Sequence, residues 1–216
     1  MYIISMESTA KHETMTTAPV KKLVVSLAIP SIISMLITTV YNAADSFFVS
    51  MVSGEDSATT GAIGVVLSLM SLIQAIGFFF GHGAGNYASR EFGKGADDNA
   101  KDMTSTGFFS ALIFGTLFTV IASIWLPQIV TLLGATDTIL PYAVSYARYV
   151  VLAAPFYMGA YVLNIQLRFE GNASYGVIGI ASGGILNIVL DAVFILGLGM
   201  GVEGAGLATM IGQIVG

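Results

Sequence analysis

Long apolar stretches alternate with short polar breaks along this chain. No Asp, Glu, Lys or Arg occurs in 23–44, 57–89, 103–136, 149–167 or 171–190, runs of 19 to 34 residues. About 20 apolar residues at ~1.5 Å each cross ~30 Å of hydrocarbon as a helix. Trimmed at polar and Gly/Pro punctuation, the pattern predicts spanning helices near 23–52, 59–82, 103–126, 141–167 and 173–198. A sixth begins near 204 and is read as truncated at 216, so the chain is expected to be the first part of a longer protein. Residues 1–20 are polar and Thr-rich, with no apolar region ending in a small-residue cleavage site, and read as a mobile cytoplasmic tail. The expected fold is an all-α integral membrane bundle of six helices over 21–216.

Composition agrees with that pattern. Of 216 residues, 55% are hydrophobic and 10% charged, with a mean hydropathy of +0.83. Soluble domains carry about 25% charged residues, so a water-facing shell is excluded. A net charge of −5 with eight scattered Lys and Arg excludes a nucleic-acid partner. The absence of cysteine excludes disulfides, thiolate metal sites and a thiol nucleophile. With the N-terminus inside, Lys11, Lys21, Lys22, Arg90, Lys94, Lys101 and Arg168 fall on the inner side. The outer loops (53–58, 127–140, 199–203) hold no Lys or Arg. This positive-inside bias predicts a multi-pass protein of the cytoplasmic membrane with a cytoplasmic N-terminus and lipid as its surroundings.

Two carboxylates interrupt the apolar helices. An Asp near the centre of a spanning helix costs about 2.5–3.5 kcal/mol on insertion scales and generally faces the bundle interior. Asp45 lies in the outer half of the first helix, Asp191 in the outer half of the fifth, and Thr209 near the outer end of the sixth. Three polar groups in one layer are expected if they converge. Tyr41 with Asp45, and Asn187 with Asp191, are i, i+4 pairs on one helix face. Such oxygens suit a hard cation such as Na⁺, or a proton on a carboxylate. The other reading is that the Asp residues merely cap broken helices or bond to neighbouring hydroxyls. Pro30 and Pro155 each remove one backbone hydrogen bond and are either hinges or ordinary membrane-helix prolines. Asn164 and Gln166 read as interfacial. Arg148 either snorkels outward or faces a cavity. With only His12 and His82, no nucleophile–base pair or cofactor site is expected, and the chain is not read as an enzyme.

The run Gly183-Gly-Ile-Leu-Asn-Ile-Val-Leu-Asp, followed by Gly201-Val-Glu-Gly-Ala-Gly-Leu-Ala-Thr, resembles the fifth-to-sixth helix region of multidrug and toxic compound extrusion (MATE) transporters. Tyr41-Asn-Ala-Ala-Asp-Ser-Phe-Phe-Val after Pro30 resembles their bent first helix and its acidic residue. The resemblance implies twelve helices in two lobes, this chain being the N-terminal lobe and the missing C-terminal lobe its partner. It implies efflux of amphipathic, often cationic drugs by antiport with H⁺ or Na⁺, needing no cofactor beyond that ion. It also implies a cation or proton site at Asp45, Asn187, Asp191 and Thr209, with Tyr41 and Asn164 nearby and the helix bend at Pro30. The alternative within the same broad superfamily is a lipid-linked oligosaccharide flippase. That function would call for several cationic cavity residues, and Arg148 is the one candidate.

Overall fold

The structure, a computed structural model, describes residues 17–53 and 57–216. Of the tail expected over 1–20, residues 1–16 lie outside the described residues, and Val20 already belongs to the first helix. In chain order the elements are α1 (Val20–Ser53), α2 (Ser57–Gly93), α3 (Asp97–Ile124), α4 (Leu126–Leu132), α5 (Leu140–Phe169), α6 (Ala173–Asp191) and α7 (Gly201–Val215). The α6 helix continues into a π-helical turn, Ala192–Gly197. Among the described residues five helices are long and apolar enough to cross a membrane. No strand occurs among the described residues.

Two boundaries differ from the sequence expectation. The second helix runs on to Gly93 rather than ending near 82, and the third begins at Asp97 rather than 103. A helix satisfies its own backbone in water as well as in lipid, so charged residues mark where it leaves the hydrocarbon, not where it stops. The intervening turn is 94–96, with Gly95 at φ +75°. Glu91 ties this turn together, accepting from Lys94 Nζ at 2.6 Å and from Asn99 Nδ2 at 3.5 Å. The segment 127–140, read as a loop, holds α4. Pro127 starts that helix, where a missing N–H does no harm, and Leu126 and Val130 turn inward to the core.

The α5 helix is the pillar of the bundle. It packs against α2, α3, α4, α6 and α7, whereas α1 rests mainly on α6, with lesser contacts to α2 and α7. Leu69, Ile73, Tyr146, Val151, Met158 and Val162 form the heart of the core. Large apolar side chains on the outer face of α3, such as Phe109, Ile113, Leu117 and Val120, are exposed, as a lipid-facing surface requires. Pro155 acts as a clamp. Its ring frees the carbonyl of Val151, and Thr119 of α3 donates to that oxygen at 2.7 Å. One turn away, Gly115 lets α3 lie directly on the Pro155 backbone. Pro30, by contrast, lies in an uninterrupted α1, in a stretch (20–33) that buries no side chain.

Candidate functional site

The α1 helix buries one stripe: Ser34, Tyr41, Asp45 and Val49. This spacing follows the helical repeat and aims Asp45 at the neighbouring helices. Asp45 is 4% exposed, and its Oδ2 accepts a hydrogen bond from the Tyr146 hydroxyl of α5. The same hydroxyl lies 3.1 Å from Thr209 Oγ1 of α7. Asn187 of α6 donates from Nδ2 to Thr209 Oγ1 at 3.4 Å. Asp191, one turn further along α6, is fully buried and within electrostatic reach of both Asp45 and Tyr146. Four helices therefore deliver five polar side chains to one layer, at the bundle end that also carries the α6–α7 turn.

Asp45 Oδ1, Asn187 Oδ1 and both Asp191 oxygens are buried without a hydrogen-bond partner. Native interiors pair nearly all such atoms. The cluster is rich in acceptors and short of donors, which is the arrangement a cation or a proton completes. Of the two sequence readings of these acids, helix capping does not apply to Asp191, whose side chain makes no cap bond to the π turn that follows it. Asp45 does bond to a hydroxyl, that of Tyr146. Asp191 stands where α-helical geometry gives way to a π turn, a local widening that often accompanies functional sites. Among the described residues no three His, Cys, Asp or Glu side chains gather. The donor set is thus two carboxylates with neutral oxygens, suited to a hard monovalent ion or a proton.

Tyr41 and Asn164 make no hydrogen bond to this cluster, although Tyr41 is within electrostatic reach of Asp45. Tyr41 presents its ring to Gly184 and accepts from Gln213 Nε2 at 3.3 Å. Both residues line a cavity of about 390 Å³ together with Phe108, Phe156, Tyr161 and Tyr175. Among the described residues no Lys, Arg, Asp or Glu lines it. Gln166 is buried and donates to the Thr104 carbonyl at 2.9 Å, joining α5 to α3. Arg148 is exposed and lines no part of the cavity. Tyr146 was missed in the sequence. Its signal was depth, since it lies six residues into α5, in the layer already occupied by Asp45 and Thr209.

The MatE family profile matches residues 30–193. The multidrug export protein MepA of Staphylococcus aureus (strain MRSA252) is 29% identical over 197 residues, covering 91% of this chain and 43% of the relative. That of Staphylococcus saprophyticus is 29% identical over 188 residues, covering 87% and 41%. The solved outward-facing conformation of a multidrug resistance MATE family transporter of the MOP superfamily superposes with a TM-score of 0.83. It is 32% identical over 90% of this chain and 43% of that one. MATE in the bent conformation and MATE in the straight conformation each match with a TM-score of 0.82, at 31% identity and the same coverage. The chain thus spans less than half the length of these relatives. With its apolar helices it is a multi-pass membrane protein, and it belongs to the MatE family of multidrug efflux transporters, whose members are not enzymes.

Proposed function

We propose that this chain is the N-terminal lobe of a drug antiporter that couples efflux of amphipathic, often cationic compounds to inward flow of H⁺ or Na⁺. Asp45, Asn187, Asp191 and Thr209 hold the driving ion or proton, and Tyr146 orients Asp45 and Thr209. The observation that carries this reading is the set of four buried acceptor oxygens without donors, on Asp45, Asn187 and Asp191. A carboxylate pair in a closed apolar surrounding is stable only with a positive charge or proton between its members.

Arrival of the ion neutralises the pair and changes how firmly α1 is held to α5 through Asp45 and Tyr146. Tyr41, one turn from Asp45 on α1, lines the aromatic cavity, so the same helix touches both the ion and the drug space. Drug and ion then compete by favouring different α1 positions, since a ligand shifts an equilibrium only by its differential affinity for the two states. Pro30, in the loosely packed part of α1, is the bend. Bent and straight conformations solved for a related MATE protein support a two-state account. An uncharged, aromatic cavity suits amphipathic cations through the ring faces. Among the described residues no cationic side chain lines it to meet a lipid-linked pyrophosphate, which favours the drug reading over the flippase one. The cytoplasmic N-terminus and a second six-helix lobe complete the proposal.

The test is dye efflux by the complete two-lobe protein bearing Asp45→Asn or Asp191→Asn. Both variants should reach the membrane and lose efflux. Wild-type efflux in both would remove the site. Vesicles with imposed Na⁺ or pH gradients then identify the ion.

A further inference from the structure

The α6 and α7 helices cross with backbone against backbone. A methyl group added at Gly183 would lie 2.5 Å from the Gly212 carbonyl oxygen and 2.9 Å from the Gly216 Cα. One added at Gly212 would lie 2.9 Å from the Gly183 oxygen and 3.0 Å from the Asn187 Cβ. One added at Gly179 would meet the Gly216 oxygen at 2.7 Å. Gly179 and Gly183 face Gly212 and Gly216, each pair four residues apart, so two small-residue seams interlock. The adjacent Gly184 serves a different neighbour: its added methyl would meet the Tyr41 ring at 2.9 Å. Consecutive glycines thus seat α7 on one side of α6 and α1 on the other. This happens one turn from Asn187 and two turns from Asp191 on α6, one turn from Thr209 on α7, and one turn from Asp45 on α1.

We propose that Gly183, Gly184 and Gly212 are positioning residues of the ion site, setting the reach from Asn187 to Thr209 through α7 and from α6 to Asp45 through α1. This rests on the reading that these side chains hold the driving ion. At Gly183 the obstacle is backbone, which cannot rotate away. Non-bonded atoms settle at about 3.5–4.0 Å, so a methyl there parts the helices by about 1 Å. The Asn187–Thr209 hydrogen bond is already long at 3.4 Å and does not survive that step. At Gly184 the obstacle is a ring edge in the buried stripe of α1, and the push is carried along α1 to Asp45.

The test uses the complete protein in proteoliposomes, with ethidium efflux measured against NaCl concentration and against pH. Gly183→Ala and Gly212→Ala should raise the half-saturating level of the driving cation about three- to twentyfold, the range of interhelical hydrogen bonds in membranes. The maximal rate at saturating cation should stay within about twofold, because the binding groups themselves remain. Gly83→Ala, with nothing within 4 Å of its new methyl, should change neither. In a Thr209→Ala background, Gly183→Ala should add no further shift, as expected when one residue acts through the other. An unchanged half-saturation in a Gly183→Ala protein that reaches the membrane, or a fully additive shift in the double variant, overturns the proposal. Should neither α6–α7 variant reach the membrane, Gly184→Ala decides: a raised half-saturation supports the proposal and an unchanged one overturns it. If Asp191→Asn keeps coupled efflux, the ion-site reading itself fails. If Asp191→Asn is inactive and the glycine variants are unshifted, the positioning claim alone fails.

Discussion

Replacing Asp191 with Asn should make the protein more stable and less functional at once. Asp191 is 0% exposed and neither carboxylate oxygen has a hydrogen-bond partner. Without an ion, an ionised group so placed opposes folding, because an unpaired buried charge keeps a desolvation penalty of several kcal/mol. Asn has nearly the same shape, carries no charge and brings donors to a site made of acceptors. The exchange removes one of two buried anions that repel each other. A buried polar group left unsatisfied costs about 1–3 kcal/mol, which sets the scale of the gain. At about 2–4 °C per kcal/mol for a chain of this size, the melting temperature in ion-free alkaline buffer should rise by about 2–12 °C.

The wild-type protein should respond to its cation, gaining about 2.7 kcal/mol at 100 times the dissociation constant. The Asn variant should show no such response. The assay is thermal unfolding of purified protein across a titration of NaCl and of pH. An Asn variant that is less stable than wild type in ion-free buffer, or that keeps the full cation-dependent stabilisation, would refute the reasoning.

Tyr146→Phe removes one hydroxyl that serves both Asp45 and Thr209 and should weaken apparent cation affinity about three- to twentyfold, read as half-saturation of dye efflux. Thr119→Val keeps the side-chain shape but orphans the Val151 carbonyl that Pro155 exposes, and should lower stability by about 1–3 kcal/mol in thermal unfolding without altering cation dependence. Gly115→Leu drives a branched side chain into the Pro155 backbone, whose Cα already lies 2.6 Å from an added methyl. It should reduce the folded yield, as overpacking costs about 1–3 kcal/mol or more. Arg148→Ala, at an exposed position outside the cavity, should leave efflux at wild-type rates.

Much of this architecture was legible as text. Spanning helices announce themselves through hydropathy because the bilayer sets one length for all of them, and an expected orientation followed from the excess of Lys and Arg in alternate loops. Asp45 and Asp191 stood out because a carboxylate inside a spanning run is expensive to place there. Helix direction alone then put them in one layer with Thr209. Asn187 followed from its i, i+4 spacing to Asp191.

What the linear pattern did not reveal is which way each helix faces. In a soluble bundle the polar side of a helix identifies its outside. In a membrane the lipid is as apolar as the core, so α5 carries almost no such contrast along its length. Tyr142, Tyr146 and Tyr149 therefore look alike in the sequence, and only the rotation of α5 selects Tyr146 for Asp45 and Thr209. The same holds for Gln166, which reaches the Thr104 carbonyl, and for Pro155, whose loosened backbone is held by Thr119 rather than left as a hinge. Glycine clusters were visible by count. That Gly183 meets α7 while Gly184 meets α1 depends on the crossing of three helices, a property of the packed bundle that no stretch of one helix contains.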